Sequence, residues 1–328
     1  MLRRLHAECY RDTGHALPAS TMKAAREADA ILLGAMGLPS VRYPDGTEVT
    51  PQIDLRIELG LYAGVRPVRA YNRAAPVLAD PRASAIDFVL IRESTEGLFA
   101  SRGKGKVTDD WEATETLVIT RPVSERLFDF ALALSRQRRK TGGRGEVICV
   151  DKANVFVSFA FFRKIFEERA ARYPDITARS VYVDAMTLMM LRRPWELDVL
   201  VTENMFGDIL SDLGAGLMGG LGFAPSADIG DEFAVFQPCH GIAPDIAGQG
   251  RANPVAMFLS GAMMLDWLGE RDGVAGARAA GDLIRRAVDS ALNEVQPFEV
   301  GGDAGTPAIT RAVLGAIDRL PREVVDAA

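Results

Sequence analysis

Thr202-Glu203-Asn204-Met205-Phe206-Gly207-Asp208-Ile209-Leu210-Ser211-Asp212 places two carboxylates, Asp208 and Asp212, four residues apart in a segment that reads as a helix. Residues at i and i+4 share a helix face, with Cβ atoms roughly 5–6 Å apart. Two acids at that spacing repel unless a cation lies between them. A hard divalent ion such as Mg2+ or Mn2+ suits one or two carboxylates plus oxygens from a substrate. A solvated helix face could carry the same pair. The preceding run, Leu197-Asp198-Val199-Leu200-Val201, reads as a buried strand. The acids therefore follow a strand and its loop, where active sites of α/β proteins tend to lie.

A chain of 328 residues suggests one large or two medium domains with ample core. Apolar residues make up 48% and charged residues 25%, an ordinary soluble globular composition. The net charge is −6, and the basic run Arg136-Gln137-Arg138-Arg139-Lys140 stands alone, which argues against a nucleic-acid partner. No apolar stretch has the length and uniformity of a membrane span. The basic N-terminus Met1-Leu2-Arg3-Arg4-Leu5-His6 lacks the apolar segment of a signal peptide. Cys9, Cys149 and Cys239 form neither a zinc nor a disulfide pattern, so a reducing cytoplasm is expected. The three histidines lie away from any nucleophile motif, which argues against a Ser-His-Asp hydrolase.

Apolar strand-like runs occur at 30–35, 86–91, 147–150, 180–183 and 198–201. Helical patterns lie between them at 20–28, 124–136 and 157–171. The alternation predicts an α/β fold with a partly parallel sheet. Trp111 to Arg121 differs. Thr114, Thr116, Val118 and Thr120 alternate with Glu115, Leu117 and Ile119, which predicts an extended segment. Gly214-Ala215-Gly216-Leu217-Met218-Gly219 matches G-x-G-x-x-G but follows a helix rather than a strand, so close packing or a hinge is expected there and not a phosphate cradle.

The stretch Thr202 to Asp212, with Gly219-Gly220-Leu221-Gly222 after it, resembles the isocitrate/isopropylmalate dehydrogenase family of NAD(P)-dependent β-decarboxylating dehydrogenases. The resemblance continues through Arg56 to Pro67, Arg92 to Gly97, Val150 to Asn154, Val183 to Met186 and His240 to Pro254. It implies a two-lobed α/β fold with a mixed sheet. Residues 1–61 and 219–328 would form the cofactor-side lobe. Residues 62–218 would form the substrate and dimerisation lobe, with an arm near 100–121 that pairs with a neighbouring subunit.

The resemblance also implies a site. Arg56, Arg66 and Arg92 match the family's substrate arginines, and guanidinium groups suit a substrate with two carboxylates. Asp184, Asp208 and Asp212 match its metal carboxylates, for Mg2+ or Mn2+. Lys152 matches the lysine that assists deprotonation of the C2 hydroxyl, with Asn154 beside it. In the family Lys152 and Asp184 come from the partner, so a homodimer is expected. His240, Gly241, Ala243, Pro244, Asp245 and Asn253 match the adenosine loop. A carboxylate at Asp245 can accept both ribose hydroxyls and repels a 2′-phosphate, which favours NAD over NADP.

Three departures stand out. Phe99 occupies the position of the tyrosine that serves as final general acid, and phenylalanine has no proton to give. The family's first strand and its G-D-G-I-G-P-E loop have no counterpart here, which would leave a sheet edge to be covered. Gln237 and Ile242 stand where a glutamate and a small hydroxyl residue are common. In isocitrate enzymes a serine and an asparagine precede the first arginine by six and four residues. Here Thr50 and Gln52 hold those places, which leans towards a polar substituent on the malate. The expected activity is oxidation and decarboxylation of a 3-substituted malate of the isopropylmalate, isocitrate or tartrate class. The competing expectation is a catalytically impaired binding or regulatory subunit of the same fold.

Overall fold

A computed structural model describes residues 7–71 and 77–321. The reading of Met1 to His6 therefore falls outside the described residues. Ten α-helices and ten strands lie within them. The strands are β1 (Ile31–Leu32), β2 (Ala63–Arg69), β3 (Asp87–Glu93), β4 (Lys106–Thr108), β5 (Glu112–Thr114), β6 (Glu146–Asp151), β7 (Thr177–Tyr182), β8 (Val199–Thr202), β9 (Pro225–Ile229) and β10 (Ala234–Pro238). The helices are α1 (Ala7–Thr13), α2 (Ala19–Arg26), α3 (Pro51–Glu58), α4 (Arg121–Lys140), α5 (Val157–Ala170), α6 (Val183–Arg192), α7 (Asn204–Met218), α8 (Val255–Arg271), α9 (Ala277–Glu294) and α10 (Thr306–Arg319).

The chain divides into two compact units. The first takes in the described residues of Met1–Leu61, Tyr71–Val77 and Met218–Ala328. In it β1 runs parallel to β10, and β10 antiparallel to β9. Leu55, Leu59 and Leu61 pack with Val235 and Ala25, so α3 is anchored by its apolar face and Arg56 is carried with it.

The second unit comprises Tyr62–Ala70 and Leu78–Leu217. Its strands lie in the order β2-β3-β8-β6-β7, with β2 antiparallel to β3 and the rest parallel. The mixed α/β sheet is as expected. The core includes Phe128 on α4 and Phe162 and Phe166 on α5, all three fully buried. The Phe128 ring centroid lies 4.6 Å from that of Phe162 and 5.3 Å from that of Phe166. Burying a ring of this kind is worth about 1.5–3 kcal/mol. The basic run 136–140 closes α4, where cations suit the helix C-terminus. Arg136 also pairs with Asp175, and Arg138 with buried Asp198.

The extended reading of Trp111 to Arg121 needs correction. Only Glu112–Thr114 is strand, paired with Lys106–Thr108 in a hairpin. Asp109, Asp110 and Trp111 connect the two strands; Asp109 and Asp110, with φ of 50° and 54°, are the central residues of a turn that the Trp111 amide closes by donating to the Thr108 carbonyl at 2.9 Å. Val118 makes a single bridge to Gly97, and Arg121-Pro122 already opens α4, where proline's fixed φ favours a helix start. Gly214 and Gly216 lie inside α7. A Cβ at Gly214 would meet Val68 at 2.7 Å, so that glycine serves close packing.

Candidate active site

Arg92 is the penultimate residue of β3, and its register partner on β8 is Thr202. Helix α7 starts two residues later, so one strand end and the first helical turn meet at the Arg92 side chain. The guanidinium is almost fully buried. Its Nε and Nη2 both donate to Asn204 Oδ1, at 2.9 and 2.7 Å, and Nη1 donates to the Asp208 carboxylate. Asn204 Nδ2 donates in turn to the Glu96 carbonyl at 3.0 Å. A bond network of this kind fixes the fork of donors that carboxylate recognition needs. Helix and strand approach closely because residue 207 is glycine. A Cβ there would lie 2.6 Å from Arg92 Cγ and 2.7 Å from its Cβ.

Asp208 and Asp212 ride the same face of α7, as the spacing predicts. Asp212 is exposed at its helix face, and partial desolvation pushes its carboxyl up, with the neighbouring Asp208 charge pushing it further, against Arg66 and Arg92. Arg66 is buried on β2. Two oxygen donors whose charges oppose each other fit a hard divalent cation. Among the described residues no three His, Cys, Asp or Glu side chains gather into a metal cluster.

Lys152 follows β6, and Asp184 lies in the first turn of α6. Lys152 Nζ donates to Asp184 Oδ1 at 2.7 Å, and this bond lowers the carboxyl of Asp184 below its ordinary range. The neighbour of Lys152 in its own chain is therefore an anion. Asp184 keeps 68% of its side chain exposed, and Asn154 is exposed too. Phe99 opens a short 3-10 turn, Phe99–Ser101, after β3, with its ring centroid 5.1 Å from Arg92 Cζ.

Beneath Arg92 lie two buried acids. Burial pushes the Glu93 carboxyl up to about 7, outweighing hydrogen bonds from the Thr95 hydroxyl and the Thr95 and Glu96 amides. Glu203 Oε2 accepts from the Met205 and Phe206 amides and so caps α7, and burial raises its carboxyl as well. Gly97 has φ +70°, and a Cβ on it would strike Glu203.

In the first unit, Arg56 is buried on α3 and its Nε donates to Asp228 Oδ2 at 2.9 Å. Thr50 and Pro51 begin that helix, and Gln52 precedes Arg56 by one turn. In the adenosine-like loop His240 Nδ1 lies 2.9 Å from the Gly241 carbonyl, and Ala243 adopts φ 43°. Gly241, Ala243, Pro244 and Asp245 are exposed. The Asp245 main-chain oxygen accepts from Gln249, while its carboxylate accepts no hydrogen bond among the described residues. The side chain of Asn253 is committed internally. Its Oδ1 accepts from the Val255 amide, and its Nδ2 donates to Glu299. Gln237 is buried on β10, and its carbonyl accepts from Ser226 and Ser260.

Sequence reasoning missed Asn204, Asp228, Glu203 and Glu299. Asn204 was in plain view between the strand and the acids. Asp228 gave no signal, because its partner is 172 residues distant.

The isocitrate/isopropylmalate dehydrogenase profile matches residues 3–313. The chain belongs to the isocitrate/isopropylmalate dehydrogenase family. It is 43% identical over 302 residues to the 3-isopropylmalate/3-methylmalate dehydrogenase of Methanocaldococcus jannaschii, covering 91% of this chain and 84% of that relative. It is 41% identical over 319 residues to the homoisocitrate dehydrogenase of the same organism, covering 94% and 87%. Among solved structures it is similar to the isocitrate dehydrogenase of Methylococcus capsulatus, with a TM-score of 0.84, 34% identity, and coverage of 96% and 89%. A β-decarboxylating dehydrogenase from Thermococcus kodakarensis gives a TM-score of 0.76 at 34% identity, covering 95% and 85%. The chain is thus a decarboxylating dehydrogenase of the isopropylmalate/isocitrate class. Among the described residues no helix is long and apolar enough to cross a membrane.

Proposed function

We propose that this chain catalyses NAD-dependent, metal-assisted oxidation and decarboxylation of a 3-substituted malate as a cytoplasmic homodimer. The observation that carries the reading is the buried Arg92 guanidinium held against Asp208, with Asp212 one turn further along the same helix. An anion-binding fork and a pair of hard oxygen donors suit a substrate that is at once a carboxylate and a metal chelate.

Arg56, Arg66 and Arg92 would hold substrate carboxylates. Asp208 and Asp212 of one chain, with Asp184 of a second copy, would hold Mg2+ or Mn2+. Lys152 of that second copy would take the C2 hydroxyl proton. When bound, NAD would supply a hydride acceptor and the divalent ion would supply Lewis-acid stabilisation of developing negative charge. The exposure of Asp184, and the exposed apolar residues Val155, Phe156 and Val157 just after Lys152 and Leu188 and Leu191 just after Asp184, support a partner-covered face. The exposed Asp245 carboxylate supports NAD over NADP, with His240 to Pro244 and Asn253 shaping the loop around the adenosine.

A second reading, an impaired binding or regulatory subunit, is favoured by one observation: Phe99 lies beside Arg92 without a hydroxyl. An assay of NADH formation with Mn2+ and a panel of 2-hydroxy diacids, run with NAD and with NADP, separates the two. Turnover with a kcat/KM preference for NAD is expected. Absence of turnover across the panel supports the impaired subunit, and equal use of both nucleotides overturns the role of Asp245.

A further inference from the structure

Asp151 closes β6 and Tyr182 closes β7, and the two are register partners across the parallel pair. Lys152 follows Asp151 directly, and Asp184 comes two residues after Tyr182. One side chain grips both strand ends. Arg163, on α5 and 12 residues beyond Asp151, donates through Nε to Asp151 Oδ2 at 2.8 Å and through Nη2 to Oδ1 at 2.7 Å. The same guanidinium lies over the Tyr182 ring, Cζ to centroid 4.9 Å.

The Asp151 carboxylate is fully buried, and a buried charge needs a bonded counter-charge of this kind. Its Oδ1 also accepts from the Ala153 amide at 2.9 Å, which fixes the backbone turn that carries Lys152. The Lys152 carbonyl accepts in turn from the Val155 and Phe156 amides, at 3.0 and 3.2 Å. Helix α5 is itself anchored by buried Phe159, Phe162, Ile165 and Phe166. A rigid path therefore leads from the core through Arg163 to the backbone at Lys152. Two parallel bonds to one carboxylate fix its orientation as well as its position, which a lysine in place of Arg163 cannot do.

We infer that Asp151 and Arg163 are positioning residues for proton transfer. They hold Lys152 where its Nζ can take the substrate proton, and the stacked Tyr182 extends the hold to Asp184, which Lys152 meets at 2.7 Å. The clamp lies wholly within the second unit, in the chain that supplies Lys152. The inference rests on the reading of Lys152 as proton acceptor in a malate-type dehydrogenase.

Arg163→Lys keeps the charge and loses the fork, and two measurements read it. The first is NADH formation with Mn2+, NAD and a 2-hydroxy diacid that the natural chain turns over. The variant should lose on the order of tenfold in kcat with both KM values nearly unchanged, because a displaced proton acceptor slows the step without disturbing the groups that bind. The second is amine labelling read by mass spectrometry on protein free of metal and nucleotide. Lys152 should be modified severalfold faster in the variant, while Lys23 and Lys140 keep their natural rates; general loosening of the fold would raise all three. Tyr182→Leu should give the same split between kcat and KM to a smaller degree. Tyr182 is 37% exposed, so that variant decides if Arg163→Lys does not fold, and an unchanged kcat in it then overturns the inference. In a folded Arg163→Lys protein, an unchanged kcat, a KM that rises as kcat falls, or Lys152 labelled at its natural rate overturns it. No NADH from the natural chain defeats the dehydrogenase reading, and the role in proton transfer falls with it. Natural turnover with an unmoved Arg163→Lys protein defeats the inference alone.

Discussion

The Phe99 ring lies over the Arg92 guanidinium, centroid to Cζ 5.1 Å. A cation over an aromatic face is stabilised by about 0.5–2 kcal/mol, more where water is excluded. The ring thus helps to hold the arginine fork while offering no proton. Positioned general acids contribute about 10²–10⁴-fold to proton transfer. Stopped-flow measurements should show NADH appearing ahead of decarboxylated product in the natural chain. In Phe99→Tyr the two should appear together, with a higher kcat for decarboxylation and nearly unchanged NAD affinity. A variant no faster than the natural chain would mean that protonation is not limiting.

Asp208 and Asp212 make a direct prediction about metal. Asp208→Asn keeps the shape of the residue and its capacity to accept from Arg92, but loses the charge. Mn2+ affinity, read by electron paramagnetic resonance, should fall at least tenfold while circular dichroism shows a folded chain. EDTA should abolish NADH formation, and Mg2+ or Mn2+ should restore it. Unchanged Mn2+ affinity in the variant would remove Asp208 from the metal site.

A shared site predicts complementation. Lys152→Met and Asp208→Asn homodimers should each be inactive. A refolded equimolar mixture makes half its dimers mixed, each with one intact site, and should recover about a quarter of the natural specific activity. No recovery, together with activity in a monomer, would place both residues in the site of their own chain.

Glu93 predicts a dependence of stability on pH. Its carboxyl is raised in the folded chain from an ordinary 4.5 to about 7, so the folded state holds a proton that the unfolded state releases. That contribution is complete below about 4.5 and is lost as pH rises through 7. The loss amounts to roughly 3 kcal/mol. Urea unfolding between pH 4.5 and 8 should show this decline in the natural chain, and Glu93→Gln should flatten it. The same slope in the variant would assign the effect to another group.

Much of this site was legible because local rules and tertiary context agree there. Val199–Thr202 forms a buried strand, α7 follows it, and the i, i+4 acids share a face. Strand β2 was harder to see. Gly64 and Pro67 read as breakers, yet the strand pairs along its length with β3, with Pro67 opposite Val89. Strand β9 carries Pro225, Ser226 and Asp228, a polar composition that suggests a loop. Asp228 is tolerated in the core because Arg56 meets it there, and sequence periodicity has no means of registering a partner 172 residues away. The direct Lys152–Asp184 bond was not foreseen for a related reason. The resemblance brings both residues into one site, but neither motif told that the lysine bonds the aspartate of its own chain directly.

The bare Cα at position 207 acts as a spacer of zero thickness between α7 and β3. A methyl group there would wedge the helix outward as a rigid rod, and both aspartates would travel with it, away from the arginine. Activity could then be lost with every chemically active group still in place. Searches for functional positions that look for side chains will pass over this one, because what position 207 contributes is clearance.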